Sequence, residues 1–146
     1  MASTHDYDND SRNNDIKIFI NDEFYLRSEA KISVMDSGYL LGDGVWEGIR
    51  FHKGHLVHLQ RHLDRLYEGA KAIEMTIGVS KDEMIVALKK TLEKNKMTSD
   101  VHIRLIVSRG IKLTPYQHPK VTIGPPTIVI IPEYKKASPK LKFEGI

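Results

Sequence analysis

A change of hydrophobic period constrains this chain more than any other feature. Ile16, Ile18 and Ile20 alternate, and so do Val101, Ile103, Leu105 and Val107. Between them Leu59, Leu63, Leu66, Ala70 and Ile73 recur at steps of 4, 3, 4 and 3. Alternation lines one face of a strand, whereas 3–4 spacing draws one stripe along a helix. Ser80-Lys81-Asp82-Glu83 reads as a capping box opening a second helix, carried by Ile85, Leu88 and Leu92 and fading near Asn95. Gly78 is expected to mark the exit from the first helix.

The strands predict hairpins. Asn21-Asp22 turns the chain back into Phe24-Tyr25-Leu26, and Lys53-Gly54 turns Val45–Phe51 into His55-Leu56-Val57. Residues 111–126 read as a loop containing Pro115, Pro119 and Pro125, and the apolar run Thr127–Ile131 as a strand buried on both faces. Hairpins imply antiparallel pairing. The expected architecture is therefore an α+β two-layer domain, a mostly antiparallel sheet with two amphipathic helices on one face. Residues 16–132 form it. Residues 1–15, polar and rich in Asp and Asn, are expected to be a disordered tail, and 133–146, rich in Lys, Ser and Pro, a linker.

Composition removes several functions. With no cysteine, disulfides, zinc–thiolate sites and thiol nucleophiles are excluded. No apolar run approaches the ~18 residues of a membrane span, and Met1–Asp15 does not read as a signal peptide. A cytoplasmic protein with no membrane partner is the expectation. The net charge of +3 comes from scattered residues, clustered only at Lys135, Lys136, Lys140 and Lys142. Nucleic acid is not an expected partner.

Ser33–Arg50 is the stretch that suggests chemistry. Gly38, Gly42, Gly44 and Gly48 stand among strand-forming and aromatic residues. They are read either as backbone shaped around a ligand or, with Gly42-Asp43-Gly44, as a hairpin turn, which local pattern favours. In Val45–Phe51 the odd positions are apolar apart from Glu47, while Trp46, Gly48 and Arg50 share the other face. That face offers a hollow at Gly48 between an indole and a cation. His102 and Arg104 likewise point away from the apolar face of their strand. If the two strands are neighbours, two arginines and a tryptophan share one surface; otherwise each Arg faces water.

Arg65 lies on the flank of the first helical stripe, where it can hold a phosphate with its forked guanidinium or pair with Asp64 or Glu68. The pattern alone favours the pair. His58 and His62 are spaced for a shared metal ligand, but the His-Glu-x-x-His motif and a third ligand are missing, so no metal is expected.

The run Val34-Met35-Asp36-Ser37-Gly38-Tyr39-Leu40-Leu41-Gly42-Asp43-Gly44-Val45-Trp46-Glu47-Gly48-Ile49-Arg50 resembles the N-terminal signature of the class IV, fold-type IV aminotransferases. The resemblance continues through His62-Leu63-Asp64-Arg65-Leu66, Val101-His102-Ile103-Arg104 and Ser108-Arg109-Gly110, and spans Asp15 to about Pro132. It implies a pyridoxal 5'-phosphate enzyme acting on an amino acid and a 2-oxo acid, as a homodimer. By position, Arg65 corresponds to the arginine gripping the cofactor phosphate. Trp46, Leu41, His102 and Arg104 correspond to substrate-binding positions, with Leu41 and His102 standing where tyrosine is common.

The D-amino-acid enzymes carry a Pro-Arg-x-His loop. Here the loop reads Pro115-Tyr116-Gln117-His118, which keeps the His and loses the Arg. The resemblance therefore leans to L-branched-chain substrates, ahead of (R)-amine transamination or aminodeoxychorismate lyase activity. The family's catalytic lysine belongs to a C-terminal domain not contained in these 146 residues, so the chain alone is expected to be inactive. The alternative is a non-catalytic dimerisation or small-molecule-binding domain of the same fold.

Overall fold

A computed structural model describes residues 9–137. β1 (Lys17–Ile20) and β2 (Glu23–Leu26) form the first hairpin, with Asn21 and Asp22 at φ of 43° and 71° in its turn. A short helix, α1 (Ser37–Leu41), precedes β3 (Gly44–His52), which turns into β4 (His55–Leu56). Two helices follow, α2 (Leu59–Ala72) and α3 (Lys81–Lys94). β5 (Val101–Ser108), the small pair β6 (Ile111–Lys112) and β7 (Thr122–Ile123), and β8 (Thr127–Tyr134) complete the chain.

Six strands make one antiparallel sheet in the order β2-β1-β8-β5-β3-β4. Helix α2 packs on β3, and α3 packs on β1 and β8, so both amphipathic helices cover the same face. That face supplies the core: Ile49, Val101, Ile103, Leu105 and Ile130 meet Leu63, Leu66, Met84 and Leu88 with essentially no exposure. The expected α+β two-layer domain is what forms. Alternation decided it, because each strand had one apolar face to bury and the two helical stripes were there to cover it. The capping box also forms: Ser80 Oγ accepts from Glu83 N–H at 3.1 Å, and the Glu83 carboxylate accepts from Ser80 N–H at 2.7 Å.

Several expectations need correction. The tail does not stay unstructured to residue 15. Ser11–Asp15 is a 3-10 turn capped by Asp10, with the Arg12 guanidinium 3.7 Å above the Tyr134 ring. The Asn13 side chain donates to Tyr134 O and accepts from Tyr134 N–H. Polar residues were ordered here by an open strand's unpaired backbone, which needs no apolar burial. Residues 1–8 and 138–146, the outer parts of the expected tail and linker, lie outside the described residues.

The strand expected to end at Ile131 runs on to Tyr134, and it is not buried on both faces. Ile128 and Ile130 enter the core, while Val129 and Ile131 are half-buried on the opposite side. Pro132 is tolerated within it because β1 pairs only with Val129 and Ile130, leaving that flank open beyond them. The first helix ends at Ala72, before Gly78, and Glu74 at φ 52° makes the reversal. The loop over 111–126 contains the β6–β7 pair. Gly42 is not in a hairpin turn. At φ 66° it is the left-handed C-cap of α1, its N–H bonding back to Gly38 O.

Candidate functional site

β3 and β5 lie side by side, with Trp46 opposite Ile106, Gly48 opposite Arg104 and Arg50 opposite His102. Period-two geometry therefore puts Trp46, Arg50, His102 and Arg104 on the sheet face that the helices leave open. The Arg104 guanidinium stacks 4.0 Å from the centroid of the Trp46 ring system, a cation–π contact between the two side chains. The hollow expected at Gly48 is filled: a Cβ there would lie 2.9 Å from His102 Nε2. Glycine at this position lets the imidazole lie across β3. Arg50 donates to Lys135 O. Burial pushes the His102 pKa down, and the cations of Lys135, Arg50 and Arg104 push the same way against Glu133. The ring is thus held neutral among positive charges.

Beside this group, the segment 30–46 lies along the open face and borders an open cleft of about 400 Å³. Ile20, Ile32, Tyr39, Trp46, Ile106 and Val129 are among the apolar residues of its wall, with Lys31 also in the lining. Two polar networks hold this segment in place. Asp36 caps α1 by accepting from Gly38 N–H at 2.8 Å, and it accepts from the buried Ser108 hydroxyl at 2.9 Å. Arg109 donates to both oxygens of Asp43, at 2.6 and 3.1 Å, and to the carbonyls of Ile73 and Glu74 past the end of α2. An apolar cleft with a stacked arginine at its edge suits a small molecule with an apolar body and a carboxylate.

Arg65 reaches the same strand from the opposite side. It pairs with neither Asp64 nor Glu68, the partners local pattern favoured. Asp64 is taken by Lys81 at 2.6 Å and Gln60 at 2.8 Å. Arg65 instead donates from Nε to Glu47 Oε1 and from Nη2 to Glu47 Oε2, both at 2.6 Å. His62 Nδ1 lies 2.7 Å from Oε2 of the same carboxylate. Glu47 is 3% exposed, yet the Arg65 side chain is 72% exposed. The Arg65 hydrogen bonds hold the Glu47 pKa below the ordinary range, with His62 adding to the effect and burial opposing it.

The structure therefore brings Trp46, His102 and Arg104 together and separates Arg65 from them by the thickness of β3. Trp46 and Glu47 are neighbours in sequence and point to opposite faces. Leu41, half-exposed at the last turn of α1, is not in the cleft wall. His118 caps an exposed 3-10 turn after the Tyr116–Gln117 stretch. Sequence reasoning passed over Glu47, although a lone carboxylate on the apolar face of a strand was itself the signal that a cation must meet it. Among the described residues no group of His, Asp or Glu is placed to hold a metal ion, and no helix is long and apolar enough to cross a membrane.

Comparison with known proteins follows the same lines. The sequence profile of the family described as amino-transferase class IV matches residues 44–142. Branched-chain-amino-acid aminotransferase-like protein 1 of Arabidopsis thaliana is 38% identical over 117 residues, 80% of this chain and 21% of that protein. A D-alanine aminotransferase of Staphylococcus aureus is 32% identical over 120 residues, 82% of this chain and 42% of that protein. Among solved structures, the T.th. branched-chain amino acid aminotransferase complexed with N-(5'-phosphopyridoxyl)-L-glutamate superposes with a TM-score of 0.69 at 26% identity, over 84% of this chain and 41% of that one. The chain thus spans less than half the length of each of these proteins.

Proposed function

Because this chain belongs to the class IV aminotransferases, we propose that it forms the small N-terminal domain of a pyridoxal-phosphate-dependent aminotransferase. The reaction we assign to the whole enzyme moves an amino group between a branched-chain L-amino acid and a 2-oxo acid. The observation that carries this reading is the Arg104–Trp46 stack at the edge of the apolar cleft. A guanidinium there meets the substrate carboxylate, and the apolar wall receives a branched side chain.

The cofactor fits this chain at one end. Arg65 is mostly exposed, and its hold on Glu47 uses only the Nε and Nη2 side of the guanidinium. N–H donors remain for a phosphate. Bound pyridoxal phosphate supplies the electron sink that amino transfer requires; the phosphopyridoxyl-glutamate complex of the structural relative supports that choice of cofactor. This chain's own residues bind and orient. Arg104 and Trp46 take the substrate's carboxylate end. His102, kept neutral, offers a hydrogen bond without a further charge.

We place the family's catalytic lysine outside these residues, so the chain alone should show neither activity nor a visible cofactor band. A cytoplasmic homodimer is the assembly we propose. Supporting it, Tyr39, Trp46, Leu113, Tyr116 and Ile123 expose apolar surface near the cleft and the β6–β7 pair.

The test is made in a polypeptide that carries this domain together with the lysine-bearing one. Leucine or valine should transaminate with 2-oxoglutarate, and Arg104→Leu should raise KM for the amino acid roughly 10- to 100-fold, the value of a lost charge-assisted hydrogen bond. Activity confined to D-alanine, or an unchanged KM, would defeat the reading.

A further inference from the structure

We propose that Glu47 is the positioning residue for Arg65: it grips the Nε/Nη2 side of the guanidinium and so aims the Nη1/Nη2 end at the cofactor phosphate. The inference rests on the reading above that Arg65 receives that phosphate.

Arg65 presents a difficulty that the phosphate reading alone does not solve. With 72% of its side chain exposed, an arginine ordinarily samples many rotamers. Ordering it on binding then costs affinity. Here the ordering is done in advance by a buried carboxylate. Glu47 sits near the middle of β3, opposite Leu105 and between Val45 and Ile49 on the core-facing side, at 3% exposure. Both its oxygens are engaged: Oε1 by Arg65 Nε, and Oε2 by Arg65 Nη2 and His62 Nδ1.

His62 and Arg65 are three apart on α2 and so lie on one face of it, clasping the carboxylate from two points. That also fixes the rotation of α2 against β3. The nearby competitor Asp64 is drawn off by Lys81 and Gln60. A guanidinium has five N–H groups in a rigid fork. Using Nε–H and one Nη2–H leaves both Nη1–H groups and the second Nη2–H directed away from Glu47. That remaining edge has the spacing for a second two-point contact with an oxyanion.

Glu47 has two opposing effects on a phosphate. It orders the arginine, and it adds a negative charge behind it. Glu47→Asp separates them, since it keeps the charge and withdraws the carboxylate by one methylene. The 146-residue chain is titrated with pyridoxal 5'-phosphate and with pyridoxal, which lacks the phosphate. Binding is followed by NMR at the arginine Nε–H and at phosphorus, and folding is checked by circular dichroism. Glu47→Asp should weaken pyridoxal-phosphate binding about tenfold, close to 1.4 kcal/mol, and leave pyridoxal binding unchanged.

If Glu47→Asp binds as the parent chain does while Arg65→Ala loses the phosphate preference, the positioning role is refuted and the phosphate reading stands. If the parent chain shows no preference for the phosphorylated ligand, or Arg65→Ala keeps that preference, the phosphate reading falls. A measurement needing no variant covers misfolding of the aspartate form: Arg65 Nε–H in the unliganded chain should exchange slowly and tumble with the backbone. Fast exchange typical of a free surface arginine would overturn the proposal.

Discussion

Replacing Gly48 by alanine tests how the open face of the sheet is assembled. The added methyl would stand 2.9 Å from His102 Nε2 and 3.5 Å from Cε1. Neither atom is backbone, so the imidazole can swing away and the strands need not part. Overpacking of this kind costs about 1–3 kcal/mol, whereas removing a glycine from a strand interior returns about 0.5–1 kcal/mol. The balance is a net loss of about 1 kcal/mol, so the melting temperature should fall by a few degrees. The large effect should appear at His102. Burial is the foremost cause of its lowered pKa, and a ring displaced into water loses that cause.

The assay is an NMR titration of the histidine ring protons in both proteins. In the parent, His102 should titrate below the ordinary value of about 6.5; in Gly48→Ala it should move up towards it. The sign also fixes a stability effect. A histidine whose folded value is lowered binds fewer protons folded than unfolded, so its contribution is present above the unfolded value and declines as pH falls below it. A Gly48→Ala protein whose His102 titrates as in the parent would refute the packing explanation.

Three further outcomes follow from other parts of the structure. Glu47 has a lowered folded pKa, so its stabilisation is complete above the unfolded glutamate value of about 4.3 and is lost as pH falls through the lower folded value; acid unfolding of Glu47→Gln should lack that component. Lys112 is 1% exposed, and its ammonium has no hydrogen-bond partner among the described residues, so Lys112→Met should raise the urea midpoint, by about 1–3 kcal/mol of stability. A fall would mean that a partner holds it. Ser80→Ala removes the hydroxyl that accepts from Glu83 N–H and should cost about 1 kcal/mol in thermal or urea unfolding.

Periodicity sufficed for the scaffold because each element announced its own buried face. Val101, Ile103, Leu105 and Val107 could only be one side of a strand, and Leu63, Leu66 and Ala70 one side of a helix. Hairpin tips were equally legible, since Asn21, Asp22 and Gly54 take left-handed backbone at little cost. Errors fell where local sequence has two solutions. Gly42-Asp43-Gly44 serves a hairpin or a helix end equally well, and only the brief helix before it makes Gly42 a cap. The polar residues 11–15 had nothing to bury, and what ordered them was the backbone of Tyr134, more than a hundred residues away.

The chain by itself determined which faces would be wet and which dry. From that followed the two-layer sheet-and-helix domain and the placing of Trp46, His102 and Arg104 on its uncovered side. Only tertiary structure decided who meets whom. Strand order put Arg104 on the indole, Gly48 made room for His102, and a helix laid on β3 gave Arg65 to Glu47 in preference to its sequence neighbours. Side-chain direction is a local property, set by a repeat of two or 3.6 residues. Ion pairing and stacking depend on which segments the fold makes adjacent, and no local pattern carries that.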